Sequence, residues 1–229
     1  MTAKKIIFSA GCALSLSAGA ASPTSIADLV LSGVSIESGH FKGREGFRVA
    51  MPAAQWQDAN KETLTDRNFM AWLPGDFKNG TIEVDIASTL APGAPEYARG
   101  FAGVSFRIQP DGSFENIYFR PTNSQSQDQL RRNHSVQYFA YPDYRFDRLR
   151  KESPERYETY ADIHPDTWIH MKIVVSETQA TLYLDNKISP ALIVNDLKLG
   201  SEIYGGVGIW IESGTIAWFS NLHVTPSTQ

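Results

Sequence analysis

Apolar and polar residues alternate with a period of two along most of this chain, in runs of seven residues or fewer. In residues 79–89, Ile82, Val84 and Ile86 fall on one side and Glu83 and Asp85 on the other. Successive side chains of a strand point to opposite faces, so this pattern predicts a half-buried strand. Residues 101–121 repeat it twice. Val104, Phe106 and Ile108 alternate with Ser105, Arg107 and Gln109; after Pro110-Asp111-Gly112, Ile117 and Phe119 alternate with Asn116, Tyr118 and Arg120. Two such runs around a Pro-Asp-Gly turn predict a hairpin. Residues 33–51 read as two strands around "KGREG", and "HSVQYFAY" as another. Residues 143–165 are charged and irregular, with a helical turn near Arg148. "WIHMKIVVS", "QATLYLDN", "GGVGIWIES" and "IAWFSNLHV" supply four more strands. The expectation is an all-β domain over 33–225, after a lead-in at 21–32 and before a tail at 226–229. Two facing antiparallel sheets would bury the apolar set. Glu83, Asp85, Arg107, Asn116, Tyr118 and Arg120 would then share an outer face, a groove if that sheet is curved.

Residues 1–20 do not fit the pattern. Lys4 and Lys5 precede an apolar run from Ile6 to Leu16, and Ala18-Gly19-Ala20 follows. This is the layout of a cleaved signal peptide, and it predicts a secreted or periplasmic protein with no membrane attachment after cleavage. The run is too short to span a bilayer. Cys12, the one cysteine, stands in "SAGC", but a lipoprotein cleavage there would leave only Ile6–Phe8 as apolar core. Removing residues 1–20 takes away two lysines and no acids, leaving 19 basic against 25 acidic residues and no cysteine. The acidic balance argues against nucleic acid as a general partner.

One segment departs from that balance. Residues 120–156 hold seven Arg and one Lys against five acids. A locally positive groove suits a glycan, an anionic one above all. Arg107, Asn116, Arg120, Asn123, Arg132 and Gln137 are donors for an oligo- or polysaccharide; Tyr138 and Trp210 are platforms. Asp85 is a further hydrogen-bonding candidate. The candidate catalytic groups, by residue type, are His134, Tyr118 and Glu83. Trp56, Trp72, Trp168 and Trp218 read as packing. The five histidines show no zinc spacing, and no phosphate-binding or D-x-D-x-D-G loop occurs. No metal ligand and no cofactor is assigned; calcium, common in folds of this class, would have no identifiable ligands.

The strand series "W-x-x-M-K-I-V-V", "A-T-L-Y-L-D-N", "G-G-V-G-I-W" and "A-W-F-S-N-L-H-V" resembles the closing strands of concanavalin A-like lectin/glucanase jelly rolls. Laminin-G-like modules and 3-keto-disaccharide hydrolase domains look similar there, and "KGREGFRV", "NGTIEVDI" and the 101–121 hairpin stand in the order those domains use. The resemblance covers residues 33–225 and implies a concanavalin A-like β-jelly-roll sandwich of two antiparallel sheets. For activity it leaves several readings, because the fold hosts many. The laminarinase pattern Glu-x-Asp-x-(x)-Glu begins at Glu83 and Asp85 but meets Ala87 and Ser88 where its acid should stand. Retaining hydrolysis needs two carboxyls about 5–5.5 Å apart, so this chain departs from that pattern at an essential place. A lyase-like elimination would use Arg120 and Gln137 to neutralise a uronate, His134 as base and Tyr118 or Tyr138 as acid. The resemblance to keto-sugar hydrolases implies His134, Tyr118, Arg107 and Arg120, with Glu83 as a base. The leading expectation is an exported protein that cleaves a glycosidic bond by hydrolysis or elimination. A non-catalytic lectin-like module and a laminin-G-like interaction module are the alternatives.

Overall fold

The computed structural model describes residues 26–67 and 69–227; the leader expected over 1–20 lies outside them. The strands are β1 (Val30–Ser32), β2 (Ser35–Phe41), β3 (Arg44–Ala50), β4 (Met70–Phe77), β5 (Gly80–Leu90), β6 (Ala102–Ile108), β7 (Phe114–Phe119), β8 (Val136–Tyr141), β9 (Glu158–Thr159), β10 (Ile169–Ser176), β11 (Gln179–Leu184), β12 (Leu192–Val194), β13 (Gly205–Ile211) and β14 (Thr215–Pro226). Three short helices, α1 (Pro121–Ser124), α2 (Gln129–Asn133) and α3 (Phe146–Glu152), flank β8. The strands form two seven-stranded antiparallel sheets, a jelly-roll sandwich. Sheet A runs β1-β4-β13-β6-β7-β8-β9, and sheet B runs β12-β11-β10-β5-β14-β3-β2. The strands that alternation does not reveal are β1, β4, β9 and β12: β1, β9 and β12, of three, two and three residues, are too short to show a period, and β4, of eight, is interrupted by Pro74-Gly75.

The core lies between the sheets. In sheet A, Val104 is opposite Ile117 and Ile209, and Ile117 is opposite Tyr138, so these share the inner face. Ile82, Val84 and Ile86 of β5 belong to the same buried cluster from sheet B. One expectation changes here. Sheet A has no solvated outer face in its centre, since every residue of β6, β7 and β13 is buried. Trp210, Tyr118 and Phe139 form a second aromatic layer on the outside, with Tyr118 and Trp210 ring centres 4.9 Å apart. Gly103, between Tyr118 and Trp210 in the cross-strand row, makes this possible. A Cβ there would stand 2.5 Å from Tyr118 Cβ and 2.3 Å from the Ile117 carbonyl oxygen.

Arg107 also departs from the pattern. Phe106 is opposite Val207 and Ile108 is opposite Gly206, so Arg107 is the extra residue of a bulge, at φ 53°. A bulge re-aims a side chain. The buried guanidinium donates to the Lys78, Gly200 and Glu177 carbonyls at 2.9, 2.8 and 2.7 Å and to Asn79 Oδ1 at 3.3 Å. It ties the β4–β5 turn, the β10–β11 turn and the approach to β13 together. The expectation that Arg107 lies in a ligand groove is corrected: it is a structural staple.

Candidate functional site

One row across the outer face of sheet A builds the floor of the site. Tyr118 is opposite Gln137, and Gln137 is opposite Glu158. Arg120, one residue past β7, extends over this row. Its Nη1 donates to the His134 carbonyl at 2.9 Å, both terminal nitrogens reach Gln137 Oε1 at 3.3 Å, and Nη2 donates to the Tyr118 hydroxyl. The guanidinium carbon lies 4.6, 5.7 and 5.9 Å from the ring centres of Tyr118, Phe101 and Phe146. Arg150 of α3 closes the far end, bound to Glu158 at 2.8 Å and to Gln137 at 3.2 Å. His134 Nδ1 stands 2.7 Å from Glu158 Oε2, outside good hydrogen-bond alignment.

Above this floor is a pocket of about 270 Å³, where β7 and β13 end and β6 and β8 begin. Its walls come from the segments around residues 57–66, 97–101, 120–134 and 146–150. Four arginines line it: Arg99, Arg120, Arg131 and Arg150. Arg150 is paired with Glu158, whereas the other three have no carboxylate within ion-pair distance among the described residues. Burial lowers the Arg99 pKa, and the like charges of Arg131 and Arg120 lower it further. Glu212 Oε2 and Asn123 Oδ1 are buried in the walls without a hydrogen-bond partner among the described residues. Such atoms cost about 1–3 kcal/mol each when left unmet.

The titratable groups are strongly perturbed. Burial raises Asp66 to about 6, against the opposing effects of the Phe146 amide, which it caps at 3.0 Å, and of Arg120. Burial raises Glu212 to about 7, although Ser213 donates to its Oε1 through the amide at 2.6 Å and the hydroxyl at 2.7 Å. His134 is pushed the other way, below its ordinary value, first by burial and then by Arg150. The pocket therefore holds a neutral imidazole beside carboxyls that keep their protons in mildly acidic solution.

A third buried acid, Glu115, lies between the sheets, bound by the Tyr138 hydroxyl and the Leu199 amide, and burial raises it to about 7. Asp66, Glu115 and Glu212 all ionise later in the folded chain than in the unfolded one. Their contribution to stability is complete below about pH 4 and is lost as pH rises through about 6 to 7. The melting temperature is expected to be several degrees higher at pH 5 than at pH 8, and Glu115→Gln with Glu212→Gln should flatten the difference. A differential scanning fluorimetry series over that range checks it; a melting temperature that rises towards pH 8 contradicts it.

The structure brings Tyr118, Arg120, Asn123, His134 and Gln137 together, with Gln137 beneath the pocket rather than on its wall. It separates the others. Glu83 and Asp85 lie on β5, in the opposite sheet. Asp85 is held there by Arg44 at 2.7 Å, Asn221 at 2.7 Å and His170 at 2.9 Å. Alternation assigns residues to faces of a strand, not to one of two sheets, so this correction was beyond its reach. Tyr138 faces the core and binds Glu115. Asn116 is buried and donates to Ser105 Oγ at 2.7 Å. Trp210 lies beneath Tyr118, its Nε1 donating to the Arg67 carbonyl at 2.6 Å. Arg132 binds the Ser124 carbonyl and the Tyr160 hydroxyl at the rim. Asp66, Arg99, Arg150, Glu158 and Glu212 went unnoticed in the sequence. Glu212 had a signal: it is the first acid after the apolar run "GVGIWI". Among the described residues no group of three or more His, Cys, Asp or Glu is arranged to hold a metal ion.

No family model and no curated protein matches the chain. Among solved structures it is similar to a Bacillus subtilis protein of unknown function with a galectin-like fold, at 11% identity and TM-score 0.53, over 87% of this chain and 89% of that one. Carbohydrate-binding module CBM66 from Bacillus subtilis matches at 15% identity and TM-score 0.48, over 84% of this chain and 94% of that one. The chain has a galectin-like fold, a jelly-roll sandwich of two seven-stranded antiparallel sheets.

Proposed function

We propose that the pocket on the outer face of sheet A binds a carbohydrate carrying an acidic group. The observation that carries this reading is the convergence of Arg99, Arg120 and Arg131, none paired with a carboxylate among the described residues, on one small chamber. Repulsion among the three opposes their gathering, and a bound anion relieves it. The rest of the lining suits a sugar ring: Phe101 and Phe146 offer apolar faces, while the guanidinium groups of Arg99 and Arg131 offer donors to hydroxyls. Small pockets with apolar walls and a few convergent polar groups are the common form of a ligand site. The galectin-like fold agrees with this reading as an analogy only.

A second reading, cleavage of the bound glycan, is favoured by the protonation states. Neutral His134 and the proton-retaining carboxyls of Asp66 and Glu212 line the same chamber. With a uronate bound, the arginines would neutralise its carboxylate and acidify C5. His134 would take the C5 proton, that electron pair would form the C4–C5 double bond, and the C4–O bond would break as a carboxyl protonates the departing oxygen.

Isothermal titration with a panel of uronic acids and neutral sugars tests the first reading, and ultraviolet absorbance of the new double bond tests the second. Uronate binding that weakens about tenfold in Arg131→Ala is expected, from loss of one charge contact. If only neutral sugars bind, or none, the first reading fails. Binding without cleavage by the wild type removes the second. Where cleavage occurs, His134→Ala should lower kcat more than 100-fold, in line with the usual contribution of about 10²–10⁴ from a general base.

A further inference from the structure

The inner pocket shares a wall with a second chamber. Gln57, Tyr97 and Arg99 line both, and the second chamber measures about 600 Å³. Tyr97 donates its hydroxyl to the Gln57 carbonyl at 2.6 Å, which joins the segment after β3 to the segment before β6 at the boundary of the two chambers. Gln57 is itself fixed: its Nε2 donates to the Thr65 carbonyl, its Oε1 accepts the Thr65 amide at 2.8 Å, and its own amide donates to Ser213 Oγ at 3.0 Å. These bonds fix the residues that the two chambers share.

The two chambers differ in charge and surface. The inner one gathers arginines. The outer one is lined by Trp56, Asp58, Asn60 and Glu96, with Arg99 at the junction. Trp56 packs against the core, as read from the sequence, but stays half-buried, and its Nε1 donates to the Met51 carbonyl at 3.2 Å, which fixes the plane of the indole. An indole held in one orientation at the side of a cleft presents an apolar face to a ring at small entropic cost. Glu96 disfavours a second anion there while accepting hydrogen bonds from hydroxyls, and Asp58 is paired with Lys61 at 2.9 Å.

We infer that the two chambers are adjoining subsites of one cleft, and that the ligand is an oligosaccharide of at least two units. An acidic unit occupies the inner pocket and a neutral, hydroxyl-rich unit lies against Trp56 in the outer chamber. This rests on the reading of the inner pocket as an acidic-sugar site, and it adds chain length and alternation of charge to that reading.

Calorimetric titration with three sets of probes tests it: uronic acid monosaccharides, their homo-oligomers, and oligosaccharides alternating a uronate with a neutral N-acetylhexosamine. The alternating disaccharide should bind about tenfold more tightly than the uronate alone, which one added aromatic contact accounts for. The homodimeric diuronate should gain less. Trp56→Ala should remove the gain and leave uronate affinity within about twofold. Because Trp56→Ala risks the local fold, Ala59→Trp, at an exposed position lining the outer chamber, is the second variant. It fills that chamber and should have the same effect. If monosaccharide and disaccharide bind equally, or if Ala59→Trp leaves the gain intact, the second subsite is wrong and the inner site stands. If no uronate binds in any form, both readings fall.

Discussion

Arg107→Ala is expected to lower the melting temperature by about 10 °C, the largest stability effect of any single substitution considered in this molecule. The side chain donates to three carbonyls and one amide oxygen while fully buried. Its removal strips those part-buried turn acceptors of their donor and unties three segments, a loss of about 4 kcal/mol at about 1 kcal/mol for each of the four lost hydrogen bonds. For a chain of this size about 1 kcal/mol shifts the melting temperature by about 2–4 °C. Arg107→Lys should recover only part of the loss, because a single ammonium has three donors and no fork to reach three separate turns. Calorimetry on both variants checks the order wild type, Lys, Ala. Glycan binding by the folded fraction should be unchanged, because Arg107 contacts the β4–β5 and β10–β11 turns and not the pocket. A loss of binding at full fold would put Arg107 back in the site.

Arg120→Ala is expected to act on the site itself. It releases the Tyr118 hydroxyl, Gln137 and the His134 carbonyl at once, and it empties the space between Phe101 and Phe146. Binding of a uronate should fall more than 100-fold, equivalent to about 3 kcal/mol, and the melting temperature should fall by several degrees. Because both change, the folded state needs its own readout. Near-ultraviolet circular dichroism reports the packed Tyr118 and Trp210 rings, 4.9 Å apart. A preserved signal with lost binding supports a direct role for Arg120. Binding that survives within about threefold contradicts the account of the floor.

How much of this was legible in the sequence differs from element to element. The β6–β7 hairpin was, because its alternation is regular and Pro110-Asp111-Gly112 marks the turn. Tyr118, Arg120 and Gln137 came together as expected, since cross-strand neighbours on one face are fixed once the pairing of β7 and β8 is known. Arg107 broke the same rule, because a one-residue bulge turns a side chain over and leaves no mark in the pattern. The aromatic layer outside sheet A was not legible either. Its cover comes from the segments around residues 57–66 and 121–150, which have no period, and a strand buried on both faces reads from its own sequence much like a half-buried one when Asn116, Ser105 and Gln137 are part of it. Asp66 and Glu212 join the site from segments 146 residues apart, one before β4 and the other after β13, and the sheet order β4-β13-β6 brings both near Arg120.

The central claim is that an acidic sugar sits over Tyr118 and Arg120 on sheet A. A crystal structure of the protein with the tightest-binding uronate oligosaccharide tests it most directly. The account predicts the sugar carboxylate within hydrogen-bond reach of Arg99 or Arg131 and the next unit against Trp56. A sugar bound instead on the outer face of sheet B, beside Asp85 and His170, would contradict it.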